Sequence, residues 1–139
     1  MFRRTPLTVP ALILLLASAC GGASNAETTD KPADGPDLSS VDFEDARGVD
    51  EVVVEVRDNS FSAPYVEVDA GTTVIFTNVG RTEHNVYPVA DGAFTPIDAT
   101  DLEPDEAREI TFDEPGEVPY YCTLHGSTTK GMVGAIRVV

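Results

Sequence analysis

The sequence predicts an all-β domain, a sandwich or small barrel rich in antiparallel strands. Three observations predict it. Short runs of alternating apolar and polar residues recur from Val49 to Val139. Turn signals close each run: Asp58-Asn59-Ser60, Ala70-Gly71, Asp91-Gly92 and Asp113-Glu114-Pro115-Gly116. No stretch holds a helical period long enough to form a long helix. Seven to eight short strands of this kind bury their apolar faces by packing as two sheets or closing into a barrel.

The first strand is read over residues 51–57, with Val52, Val54 and Val56 on one face. Phe61 follows the Asp58 turn, and Pro64 suits an edge or a strand start. Residues 65–69 alternate, with Val66 and Val68 inward. Residues 72–78 give the strongest strand signal: Val74 and Phe76 share a face, and Ile75 is apolar opposite them. A strand apolar on both faces is central in its sheet or covered at one end. Residues 86–89 form a short strand, and residues 93–105 are irregular, with room for one helical turn. Residues 106–112 carry Ile110 and Phe112 inward. Residues 118–122 put Val118, Tyr120 and Cys122 on one face, and residues 133–139 close the chain with Ile136 and Val138 inward.

The residues before this domain read differently. Arg3-Arg4, an apolar run over 12–17 and the small residues before Cys20-Gly21 have the three parts of an export signal. The apolar run is too short to span a bilayer, which takes about 20 residues. Ala17-Ser18-Ala19-Cys20 resembles a lipoprotein cleavage box. That resemblance implies removal of residues 1–19, lipidation of Cys20 and retention at the outer face of the cytoplasmic membrane. Residues 20–48 are rich in Gly, Ser, Ala, Thr, Pro and Asp and bury too little to offset their ordering entropy. They are expected to be an acidic, disordered tether, with Val41 and Phe43 able to dock on the domain edge as a short extra strand. The domain is then 49–139.

The chain carries a formal charge of -15. That excludes nucleic acid as a partner. It favours basic partner surfaces, or a saline habitat that screens the charge. There are two cysteines, two histidines and, besides the initiator, one methionine. With Cys20 lipidated, Cys122 is a lone thiol in an exported protein and calls for a function.

Metal ligation supplies one. Cys122, His125 and Met132 lie within eleven residues, and His84 follows the strongest strand. Two imidazoles, a thiolate and a thioether are the donor set of a blue-copper electron-transfer site. Taken singly, His84 reads as a hydrogen-bonded histidine, Cys122 as an inert buried thiol and Met132 as core filler. Together they are nearly all the soft or nitrogen donors the chain owns. Structural zinc stays open, although it usually recruits further Cys. Iron-sulfur clusters need more thiolates. A Cys/His nucleophile needs an oriented base and a cleft, of which the sequence shows no sign.

Three motifs carry a resemblance: Glu83-His84-Asn85-Val86, Tyr120-Tyr121-Cys122-Thr123-Leu124-His125 and Gly131-Met132-Val133-Gly134. Over residues 49–139 the chain resembles the cupredoxins, in particular the plastocyanin, pseudoazurin and halocyanin group. The resemblance implies a Greek-key β-sandwich holding one copper ion, with His84, Cys122 and His125 as equatorial ligands and Met132 axial. It implies that Asn85 ties the ligand loops together. It also implies a monomeric one-electron carrier, not an enzyme. Its transient partners would be cytochromes, respiratory or photosynthetic complexes, or a reductase. Electrons would leave through His125, in a collar of Leu124, Pro88, Gly126 and Val133. Copper storage or delivery uses the same ligands and is the alternative. One departure stands out: six residues separate His125 from Met132, more than the plastocyanin pattern has, which is expected to loosen or reposition Met132.

Overall fold

The computed structural model describes residues 35–139. Residues 1–34, with the expected export signal and Cys20, lie outside the described residues. Among the described residues nine strands run in chain order: β1 Glu44–Asp45, β2 Glu51–Arg57, β3 Ser60–Phe61, β4 Tyr65–Val68, β5 Thr72–Asn78, β6 Tyr87–Pro88, β7 Ala107–Phe112, β8 Gly116–Gly126 and β9 Gly131–Val138. One 3-10 turn, Ala99–Asp101, sits in the segment that reads as irregular. The count exceeds seven to eight because β1 and β3 are two-residue strands with too little sequence to show a period.

The strands form two sheets, β1-β4-β9-β8-β6 and β3-β2-β5-β7. The pairing is mixed. β2 runs parallel to β5, β4 to β9 and β1 to β4, while the other pairs are antiparallel. Parallel neighbours need a crossover connection. Here the opposite sheet supplies it: the chain leaves β3, passes through β4 in the facing sheet and returns to β5 beside β2. Of the two placements open to a strand apolar on both faces, β5 takes the central one, between β2 and β7.

Period-two alternation sends Val54, Val56, Val74, Phe76 and Phe112 from one sheet inward to meet Val66, Val68, Tyr120, Ile136 and Val138 from the other. Val52, Val118 and Ile110 flank this core only partly buried. Phe61, Phe76 and Tyr120 meet edge to face at its centre, with centroids 4.9–6.4 Å apart. Such contacts add to plain burial. The Tyr120 hydroxyl donates to the Pro64 carbonyl at 3.4 Å, so the buried phenol keeps a partner.

Residues 35–48, expected as part of a disordered tether, lie against the first sheet. Leu38 is buried. The extra strand falls at Glu44–Asp45 and not at Val41, and it pairs with β4. Phe43 is held instead by its ring. Arg137 stacks over it at 3.7 Å, and Tyr65 meets it edge-on at 5.8 Å. Arg137 is itself fixed by Glu117 and Glu67.

Gly134 marks the tightest packing. A Cβ there would stand 2.4 Å from the Pro64 carbonyl oxygen and 2.5 Å from the Tyr120 ring. Backbone cannot yield as a flexible side chain can. Gly134→Ala should therefore lower stability by about 3 kcal/mol, the upper end of overpacking costs. Urea unfolding of the two chains checks this, and an unchanged midpoint would contradict it.

Candidate metal centre

Residues three apart on a regular strand face opposite sides of the sheet. Cys122 and His125 are three apart on β8, yet they meet. The register explains this. Tyr121 pairs with Val133 and Gly126 with Gly131, so four residues, 122–125, stand opposite the single residue Met132. This large bulge bends β8 and re-aims its side chains. Cys122 Sγ comes 3.6 Å from His125 Nδ1.

His84 arrives from the loop after β5, and two groups pin that loop. Asn78, fully buried, donates through Nδ2 to the carbonyls of Thr82 and Leu102, both at 2.8 Å, and accepts from Gly80 N–H at 2.9 Å. Asp58 accepts from the Arg81 N–H at 2.6 Å and from its guanidinium at 3.1 Å. The backbone bond first, and then the guanidinium, hold the Asp58 carboxyl below its usual range. The His84 N–H donates to the Leu102 carbonyl at 3.2 Å. The sequence reading missed Asn78, Asp58 and Leu102. Asn78 before Val79-Gly80 has the form of an Asx turn, which was the available signal.

The result is a cluster of His84, Cys122 and His125 with donor atoms all within 4.8 Å of one another. His84 Nδ1 lies 3.8 Å from Cys122 Sγ. Donors bonded to one ion at about 2.0–2.3 Å, at trigonal angles, stand about 3.6 Å apart, so the three fit a single metal. Both imidazoles present Nδ1 to the thiol. His84 and Cys122 are fully buried, whereas His125 reaches the surface beside exposed Leu124. His84 Nε2 is buried without a hydrogen-bond partner among the described residues. Its ring is therefore oriented by packing and by its backbone.

Burial, and then the neighbouring His125, push the His84 pKa below 6.5, with Asp58 opposing. A neutral ring keeps a lone pair for a metal. Asn85 joins the two ligand segments, donating to Thr123 Oγ1 at 2.7 Å and accepting from the Thr123 N–H at 2.8 Å.

Met132 is buried in β9, directly across from the bulge. The extra residues expected to loosen it form a closed tip instead. Gly126 pairs with Gly131, Ser127 N–H donates to the Lys130 carbonyl at 2.8 Å, and Gly131 takes the positive φ of +83° that the turn demands. Of the expected collar, Leu124 is exposed and Gly126 and Val133 are half-buried, but Pro88 is buried in β6 and adds nothing to the surface.

The family of copper-binding proteins described as plastocyanin/azurin matches residues 50–139. The chain belongs to this family. Amicyanin-alpha from Methylorubrum extorquens is 29% identical over 73 residues, 52% of this chain and 61% of its own length. Amicyanin from Paracoccus versutus is 31% identical over 102 residues, 70% of this chain and 68% of its own. The crystal structure of that amicyanin superposes with a TM-score of 0.52 at 30% identity, covering 66% of this chain and 83% of the other. A copper-containing nitrite reductase from Thermus scotoductus gives 0.52 at 30% identity, but this chain covers only 22% of it. The cupredoxin is thus a type 1 copper electron carrier, with a His-Cys-His-Met group able to hold one copper ion.

Two outcomes follow from this geometry. Asn85→Ala removes both links to Thr123 and should cost about 1–3 kcal/mol, broadening the visible band of the copper-loaded protein. An unchanged unfolding midpoint and band would contradict the bridging role. In the metal-free chain, the unfolded state takes up a proton on His84 below pH 6.5 while the folded state stays neutral. This stability is complete above pH 6.5 and is lost as pH falls toward the lowered pKa. Urea midpoints measured from about pH 7.5 down to about pH 5 should fall, and fall less in His84→Asn.

Proposed function

We propose that this cupredoxin is a one-electron shuttle held by a lipid on Cys20 at the outer face of the cytoplasmic membrane. It moves electrons between membrane-associated redox partners: cytochromes, respiratory or photosynthetic complexes, or a reductase. The observation that carries the reading is the asymmetry of the site. His84 and Cys122 are wholly buried, while His125 is partly exposed beside Leu124. His84, Cys122 and His125 would hold the copper, with Met132, buried opposite the bulge, as the fourth donor. The bound copper supplies a Cu(I)/Cu(II) couple.

The protein's part is to keep the donors in one arrangement for both oxidation states. The Asn85–Thr123 pair, the Asn78 anchor and the closed hairpin tip all serve that end. His125 offers its ring edge to a partner across a small, brief interface. The N-terminal sequence supports anchoring, and tethering raises the local concentration of carrier at its partners.

The protein acts as a monomer and is not an enzyme. A second, catalytic copper would need further histidines, and the sequence has only His84 and His125. A copper-delivery role predicts an open, rapidly exchanging site. Complete burial of His84 and Cys122 favours the carrier.

Titrating the full chain with Cu(II) tests this. An intense sulfur-to-copper charge-transfer band in the red should saturate at one copper per chain, with narrow copper hyperfine splitting, and should vanish in Cys122→Ser. A pale spectrum with ordinary splitting, or loss of copper to a mild chelator, would overturn the shuttle.

A further inference from the structure

The distribution of charge is more informative than its sum. After Glu117 the sequence contains no acidic residue at all. Residues 118–139 carry Lys130 and Arg137, a formal +2. Since the whole chain is -15, residues 1–117 hold -17. The acid-free segment is β8 beyond Glu117, the tip and β9, which together include Cys122, His125 and Met132. In the other ligand loop, residues 79–86, Arg81 is paired with Asp58 and Glu83 is exposed, so the positive charge at this end belongs to the tip.

Lys130 differs from every other described cation. Arg47, Arg57, Arg81, Arg108 and Arg137 each form an ion pair. Among the described residues Lys130 has none, and it is exposed at the tip. The tip is shaped by the Gly126–Gly131 pair and the bond from Ser127 to Lys130, so Lys130 stands on a defined hairpin whose first arm runs on from Leu124 and His125. A Cβ on Gly126 would meet the Met132 N–H at 2.7 Å, so the two arms of the hairpin touch.

We propose that the tip 124–131, with Lys130 as its cation, docks a redox partner that rings its own electron-transfer group with carboxylates. This rests on the shuttle reading and names the partner's chemistry. Charge complementarity carries the argument. A basic partner would be drawn to the carboxylates that cover the rest of the molecule, and most of those encounters leave His125 turned away. An acidic partner is repelled everywhere except at this end, so the productive orientation is the one that survives. At about 0.15 M salt, charges beyond about 8 Å are largely screened. Lys130 then decides the final approach, as rim charges do. One basic residue is too little to hold so acidic a chain on anionic lipid, which leaves a protein partner.

The test uses the full chain and two redox-inert trivalent ions at about 0.15 M salt. Hexacyanocobaltate(III) should shift the amide NMR signals of residues 124–131, and Lys130→Glu should abolish those shifts. Hexaamminecobalt(III) should shift signals among residues 35–117 instead. Hexacyanocobaltate that shifts nothing at the tip, or shifts it equally in Lys130→Glu, would overturn the proposal. So would hexaamminecobalt binding at the tip of the unaltered chain. In a separate measurement on the copper-loaded chain, ferricyanide accepts one electron from the reduced protein and becomes ferrocyanide. Lys130→Glu should slow that step about three- to tenfold. An equal rate in both chains sinks the docking proposal and leaves the shuttle standing. A copper-loaded chain that passes electrons to neither ferricyanide nor a cationic oxidant sinks the shuttle itself.

Discussion

The Cys122–His125 contact exists because β8 breaks its register between Tyr121 and Gly126. Without the bulge, strict alternation would put Cys122 in the core and His125 on the opposite side. With it, four residues face one, and both side chains reach the same point. Everything nearby depends on that break. Met132 is the residue opposite it, Thr123 within it receives Asn85, and Gly126 and Gly131 close the ladder beyond it. A metal site built this way sits on the strands of a packed sandwich, so its geometry is inherited from the core below.

The core and the site meet on one strand. Tyr120 anchors the aromatic cluster with Phe61 and Phe76, and two residues later Cys122 presents its sulfur. Gly134, paired with Tyr120 on the neighbouring β9, leaves the room that the phenol ring occupies. From the other sheet, β5 ends in Asn78, whose side chain folds the next turn so that His84 enters from above. Two strands from different sheets thus deliver the ligands, each with a buried polar or aromatic anchor just before it. The hairpin tip, free of acidic residues, runs on directly from the partly exposed His125.

Much of this was legible in the sequence. The alternation in residues 65–68 and 72–78 gave β4 and β5, and the scarcity of soft donors singled out His84, Cys122, His125 and Met132. Other features were not legible, for physical reasons. Two-residue strands such as Ser60–Phe61 carry no period. Parallel pairing of β2 with β5 is a consequence of topology, and alternation does not encode it. The docking of residues 35–48 depends on Arg137 stacking over Phe43, a contact between residues far apart in the chain. The longer ligand loop looked like slack, but Ser127 and Lys130 close it into a turn. The Asn78 anchor hides because an Asn before a Gly reads as an ordinary turn, and only its burial reveals the two carbonyls it holds.

The central claim is that one sulfur and two imidazoles from a bulged strand and a pinned loop converge on a single ion. X-ray absorption fine structure at the copper edge of the loaded full chain tests it most directly. The account predicts one short copper–sulfur bond and two imidazole nitrogens in the first shell, in both oxidation states. A shell of light atoms without that sulfur, or a large change of coordination on reduction, would contradict it.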